Sequence, residues 1–208
     1  MAAGLFITFE GGEGAGKSTQ MAMLGAKLKG QGLDVVLTRE PGGAPQAEAI
    51  RREIVTGAVG RWSPLAETLL INAARDSHLR ETIRPALNRG AIVLCDRFMD
   101  STRAYQGAAG AVDTHLILLL ERLVVGETRP QLTLILDIDA EEGLARAKRT
   151  ENRFELKSRE FHEQLRKAYH EIARAEPERC KIINAVGSRE EVFAEIWREV
   201  EPLAEVLR

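Results

Sequence analysis

Gly11-Gly12-Glu13-Gly14-Ala15-Gly16-Lys17-Ser18 is the stretch whose pattern decides the fold. It satisfies G-x-x-x-x-G-K-[ST]; the short β-rich run Leu5 to Phe9 precedes it and the helix-forming stretch Gln20 to Lys29 follows, the context that gives the pattern meaning. In such a strand, loop and helix, glycines turn backbone N–H groups inward around phosphate oxygens. The lysine brings a point charge to the β and γ phosphates, and the hydroxyl of Ser18 is placed to ligate Mg²⁺. With glycine at about 7% of residues, the pattern should arise by chance in fewer than roughly one chain in a hundred of this length. The ligand it implies is ATP or GTP.

Outward from that loop, four more apolar runs recur: Val35 to Leu37, Ala91 to Cys95, Leu132 to Leu136 and Lys181 to Ile183. Each leads into a polar or glycine-containing segment and then a helical pattern. The runs are continuous rather than alternating, which predicts parallel strands buried on both faces. Leu65 to Asn88, His115 to Val125, Glu155 to Ala175 and Arg189 to Leu207 have the length and mixed polarity of helices. The chain therefore reads as α/β, with five parallel strands and helices on both faces. Its 208 residues, 44% of them hydrophobic, suffice for one core, and a single domain over 1–208 is expected.

Lys and Arg number 29 against 31 Asp and Glu, so no basic excess supports a general grip on nucleic acid. Within the cations, 22 are arginine and 7 lysine. The planar guanidinium matches phosphate oxygens in pairs, which fits anion handling, although an arginine-rich genome gives the same bias. Cys95 and Cys180 lack the spacing of a zinc site or a disulfide scaffold and fit a reducing compartment. No apolar run reaches the roughly 18 residues that span a bilayer, and the N-terminus lacks a signal-like pattern. A cytoplasmic protein without a membrane partner is expected.

The third run ends in Leu94-Cys95-Asp96-Arg97-Phe98. An aspartate at the carboxyl end of a strand beside the first would reach Mg²⁺ or its waters, and the adjacent arginine would face the same crevice. Away from such a loop, an Asp-Arg pair is more often an ordinary ion pair. Arg146 to Arg159 carries Arg146, Lys148, Arg149, Arg153, Lys157 and Arg159, and reads either as a solvated charged helix or as a lid that closes on an anion. No guanine-reading N-K-x-D occurs, which argues against a GTPase switch. A kinase for a hydroxyl acceptor normally needs a carboxylate base, whereas a nucleoside monophosphate, with a second pKa of about 6, is already largely ionised. Its difficulty is anion meeting anion. Arg39, Arg51, Arg75 and Arg97 fall in segments able to face the crevice and supply the cations.

Thr38-Arg39-Glu40-Pro41-Gly42-Gly43, Ala73-Ala74-Arg75, Asp96-Arg97-Phe98 and Asp100-Ser101-Thr102-Arg103-Ala104-Tyr105-Gln106-Gly107, in this order and spacing, resemble the signature series of the bacterial thymidylate kinases. The similarity runs from the first strand to the last helix. It implies a P-loop NTPase fold with sheet order 2-3-1-4-5 and a short basic lid at about 146–159. It also implies a homodimer packed through helices, and transfer of the γ phosphate of ATP to dTMP with Mg²⁺ held by Ser18 and Asp96.

Carried over on the matched positions, ATP would lie on Gly11, Gly12, Glu13, Gly14, Ala15, Gly16, Lys17, Ser18 and Thr19, with Arg146 in the lid and Asn184-Ala185 at the adenine. The catalytic cations would be Lys17, Arg39, Arg97, Arg149 and Arg153. For dTMP, Arg51 and Arg97 would hold the phosphate, Glu13 the 3′-hydroxyl side of the sugar, and Arg75, Thr102 and Gln106 the polar edge of thymine. Tyr105 would lie where a 2′-hydroxyl needs room, and Glu40 and Pro41 would shape the loop. Two departures stand out. Asn152 replaces an aspartate that often precedes the lid arginine, in a lid slightly shorter than usual. Ile71 occupies the place of a phenylalanine that stacks on thymine. A kinase for another nucleotide monophosphate, or a non-catalytic nucleotide-binding regulator, remain as alternatives.

Overall fold

A computed structural model describes residues 4–58, 60–147 and 157–206. Strands β1 (Leu5–Gly11), β2 (Val35–Arg39), β3 (Ile92–Asp96), β4 (Leu132–Asp137) and β5 (Cys180–Asn184) form one parallel sheet in the order β2-β3-β1-β4-β5. They fall on the five apolar runs, displaced by a residue or two at their ends. Continuous burial holds for the inner strands β1, β3 and β4. The outer β2 and β5 are only partly buried, because an edge strand has a neighbour on one side alone.

The helices among the described residues are α1 (Lys17–Gly30), α2 (Pro45–Val55), α3 (Pro64–His78), α4 (Arg84–Asn88), α5 (Met99–Thr102), α6 (Thr114–Val124), α7 (Ala140–Arg146), α8 (Arg159–Ala175) and α9 (Arg189–Glu205). Alternation along β1 assigns them to two faces. Ile7 and Phe9 join Leu24, Leu28, Ile196 and Val200 of α1 and α9 in one core. On the opposite face Phe6 packs with Leu79, Ile83 and Phe98 in a second, while Ile135 meets Leu165 and Tyr169 of α8 in a third. On the Phe6 face Thr8 follows, sharing a 2.8 Å hydrogen bond with Thr133, and then Glu10.

Leu65 to Asn88 is not one uninterrupted helix. Between α3 and α4 the chain makes a π-type turn, Leu79–Ile83, in which the N–H of Arg84 reaches back to the carbonyl of Leu79. Pro85 lacks an N–H and cannot continue an α ladder, so the wider turn absorbs it. The expected helix from Glu155 begins instead as α8 at Arg159, where the Ser158 hydroxyl accepts from the N–H of Phe161. None of the described helices is long and apolar enough to cross a membrane.

Candidate active site

Between β1 and α1 the glycine loop must turn sharply and admit close neighbours. Gly11 has φ +126° against the Leu136 carbonyl, and Gly14 has φ +69° against the backbone of Gly143 on α7; a Cβ at either would collide with that backbone. Lys17 is buried beneath the loop, its Nζ donating to the carbonyls of Gly12 at 2.7 Å and Gly11 at 3.3 Å. Burial, and next the charge of Arg97, lower its pKa. Ser18 Oγ donates to Asp96 Oδ2 at 2.6 Å, so a hydroxyl and a carboxylate converge where the loop meets the end of β3. Mg²⁺ takes oxygen ligands and commonly only one or two from protein beside phosphates, so this pair fits it.

A cavity of about 340 Å³ opens over the loop, lined by Gly14, Gly16, Lys17, Ser18, Thr19, Arg39 and Asp96 with Glu13, Glu40, Arg51 and Arg97. The last four residues also line a second cavity, completed by Pro41, Val55, Ile71, Arg75, Phe98, Ser101, Thr102, Tyr105 and Gln106. One is mainly polar with four cations; the other has an apolar wall with a few fixed polar groups.

Arg97 stands on the shared wall in a left-handed conformation, φ +70°, which costs a non-glycine residue about 1 to 3 kcal/mol. Its neighbours hold it there. The N–H groups of Phe98 and Ser101 donate to Glu10 Oε1 at 2.8 and 3.2 Å, and the hydroxyls of Ser101 and Tyr169 donate to Oε2 at 2.6 and 2.9 Å. Glu10 is fully buried; burial and the nearby Asp100 push its pKa up to about 7 against the opposing effects of the Ser101 hydroxyl and Arg97. The turned guanidinium donates to Glu13 Oε1 at 2.8 Å and to the Gly11 carbonyl at 3.1 Å, and lies 4.9 Å from the Tyr105 ring centre. Glu13 also accepts from the Tyr105 hydroxyl at 3.0 Å. Burial alone would raise its pKa, but Arg97, Lys17 and that hydroxyl outweigh it and hold the carboxyl at about 2.

Deeper in, Glu40 accepts from Arg75 Nε at 2.7 Å and meets His78 Nδ1 at 3.0 Å, while His78 Nε2 lies 2.7 Å from Thr38 Oγ1. Arg75 Nη2 donates to the Phe98 carbonyl and to Thr102 Oγ1, at 3.1 and 3.0 Å. Arg51 Nη1 donates to the Pro41 carbonyl at 2.6 Å, and exposed Arg39 leans on Glu48 at 3.3 Å.

Every residue expected to face dTMP thus lines one cavity, and Lys17, Ser18, Thr19, Arg39 and Asp96 line the other. Gly11 and Gly12 line a small pocket beneath α7 instead, and Ala15 is buried. Arg146 is brought to Asn184-Ala185, the pair expected at the adenine, its Nη1 donating to the Ala185 carbonyl at 3.0 Å, while its Nη2 pairs with Glu142. Asn184 Oδ1 caps the N–H of Val186. At the other end of the basic run, Arg159 pairs with Glu163 and Glu141. Arg149, Asn152 and Arg153 lie outside the described residues. Sequence reasoning missed Glu10, Ser101, His78 and Tyr169. An acid ending an apolar β run was the available signal for Glu10; the others declare themselves only through tertiary partners.

A parallel sheet with a phosphate loop, and two cavities meeting at arginines, define a P-loop phosphotransferase built for two anionic substrates. A thymidylate kinase family model matches residues 9–196. A thymidylate kinase of Caulobacter vibrioides is 58% identical over 198 residues, covering 94% of this chain and 95% of the relative. Another, from a Bradyrhizobium strain, is 50% identical over 202 residues, covering 95% and 89%. The crystal structure of thymidylate kinase from Ehrlichia chaffeensis superimposes with a TM-score of 0.80 at 33% identity, covering 96% of this chain and 100% of that one. The chain belongs to the thymidylate kinase family.

Proposed function

We propose that the double cavity transfers the γ phosphate of ATP to dTMP, giving ADP and dTDP. The observation that carries this reading is the shared wall of Glu13, Glu40, Arg51 and Arg97 between the glycine-loop cavity and the partly apolar one. ATP phosphates lie over the loop's N–H groups, and Lys17 exchanges the Gly11 and Gly12 carbonyls for phosphate oxygens. Ser18 and Asp96 would hold Mg²⁺, which neutralises charge on the β and γ phosphates when bound. Arg97 and Arg51 grip the acceptor phosphate, with Arg39 at the mouth. An oxygen of that phosphate attacks the γ phosphorus as the bond to the β–γ bridging oxygen breaks, and ADP leaves. No base is required, because the acceptor is largely a dianion at neutral pH. Lid arginines Arg149 and Arg153 supply further charge to the transferring group, and Arg146 with Asn184 and Ala185 flanks the adenine. Glu13 and Tyr105, bonded together, face the sugar.

Exposed leucines on packed helices α3 and α6, among them Leu65, Leu69, Leu119 and Leu123, support a homodimer through that face. Cys95 and Cys180, both buried free thiols, fit a cytoplasmic location. A coupled assay with Mg²⁺-ATP and a panel of dTMP, dUMP, dCMP, dGMP and AMP tests the proposal. The highest kcat/KM is expected for dTMP; preference for another acceptor, or binding of ATP without turnover, would refute it.

A further inference from the structure

Gln106 lies on the wall of the acceptor cavity, 3% exposed, and its Nε2 donates to Glu67 Oε1 at 2.8 Å. Glu67 is buried on α3 and does not itself line the cavity. A glutamine amide can turn end for end at little steric cost, exchanging a donor for an acceptor. A carboxylate oxygen only accepts. Glu67 therefore holds Nε2 away from the cavity, and Oε1 becomes what Gln106 offers to a base. Arg75 has spent Nε and Nη2 on Glu40, Phe98 and Thr102, which leaves Nη1 as its donor.

Between them Gln106 and Arg75 so present one acceptor and one donor to the cavity. Thymine carries the complementary pair, the N3–H donor beside the O4 acceptor. Cytosine carries the reverse, an N3 acceptor beside the N4 amino donor, and meets like against like at both positions. We propose that Glu67 is a positioning residue that sets selectivity for thymine over cytosine by locking the Gln106 amide with its oxygen toward the base. This rests on reading the cavity as the dTMP site.

Glu67→Gln keeps size and shape while offering both a donor and an acceptor to Gln106, so the amide is free to adopt either orientation. A misaligned buried hydrogen bond weakens the hold on thymine, so the ratio of kcat/KM for dTMP over dCMP should fall about tenfold, with KM for ATP unchanged. Exchanging the two side chains, Glu67→Gln with Gln106→Glu, puts an acceptor-only group back at the base and should restore most of the ratio. Equal losses with both nucleotides would assign Glu67 a purely structural role and overturn the proposal. So would an unchanged ratio in Glu67→Gln, or no recovery in the exchanged pair. The wild type separates the two readings: without turnover of dTMP the assignment of the cavity fails, whereas normal turnover with a ratio indifferent to position 67 defeats the lock alone.

Discussion

Arg97 gives up the ordinary right-handed backbone so that one guanidinium can face both the glycine loop and the partly apolar cavity. The carboxylate that stabilises this turn, Glu10, has a consequence for stability. Its pKa is raised to about 7 in the folded chain from 4.5, so between those values the native state holds more protons than the unfolded one. Stability contributed by this group therefore falls as pH rises from 4.5 through 7, the opposite sign to Glu13, whose contribution is present above 4.5 and lost toward 2. Glu10→Gln should melt with a flatter dependence than the wild type between pH 5 and 8, in thermal scans followed by circular dichroism. Parallel curves would show that Glu10 does not carry that dependence. Ile71, 7% exposed on the cavity wall, offers dispersion where a ring would stack. Base-aromatic stacks are worth about 1 to 3 kcal/mol against alanine, so Ile71→Phe should tighten dTMP by up to about 1 kcal/mol, roughly fivefold, if the ring fits. In isothermal titration, Ile71→Ala binding as tightly as the wild type would remove the contact from the account.

The basic run between α7 and α8 begins and ends in paired arginines: Arg146 on Glu142 and Ala185, and Arg159 on Glu141 and Glu163. The catalytic charges proposed for this run are those of Arg149 and Arg153. Replacing both by alanine should lower kcat at least about tenfold, roughly 1.4 kcal/mol of transition-state stabilisation, with less effect on dTMP affinity. Single-turnover rates would read this, and a change in melting temperature alone would make the charges structural. The five strands and the loop were legible because each is a local pattern, an apolar run or fixed glycine spacing. That the residues lining the partly apolar cavity belong together was legible through motif resemblance. Helix α2 was not, since only Ala47 and Ile54 are buried, too few apolar positions to show a helical period. The π-type turns at Leu79–Ile83 and Arg103–Ala108 break the 3.6-residue period that sequence reading relies on. His78 and Tyr169 look like ordinary helix residues until Glu40 and Glu10 are found beside them.

The sheet brings the carboxyl ends of β1, β2 and β3 together, so residues scattered from Glu10 to Gln106 meet in one crevice while α3 and α6 keep an apolar face outside it. If that face joins two copies, Leu119→Glu with Leu123→Glu should shift sedimentation from dimer to monomer. An unchanged dimer would put the interface elsewhere. Every role proposed for these residues requires direct transfer between two bound nucleotides. The most direct measurement follows γ-labelled ATP incubated with dTMP and Mg²⁺, comparing the wild type with Lys17→Ala. The label should appear in the β position of dTDP with the wild type. With the folded variant, transfer should fall at least about a hundredfold, in line with the loss of a preorganised charge. Label released as inorganic phosphate, or transferred at near-normal rate by the variant, would contradict the account.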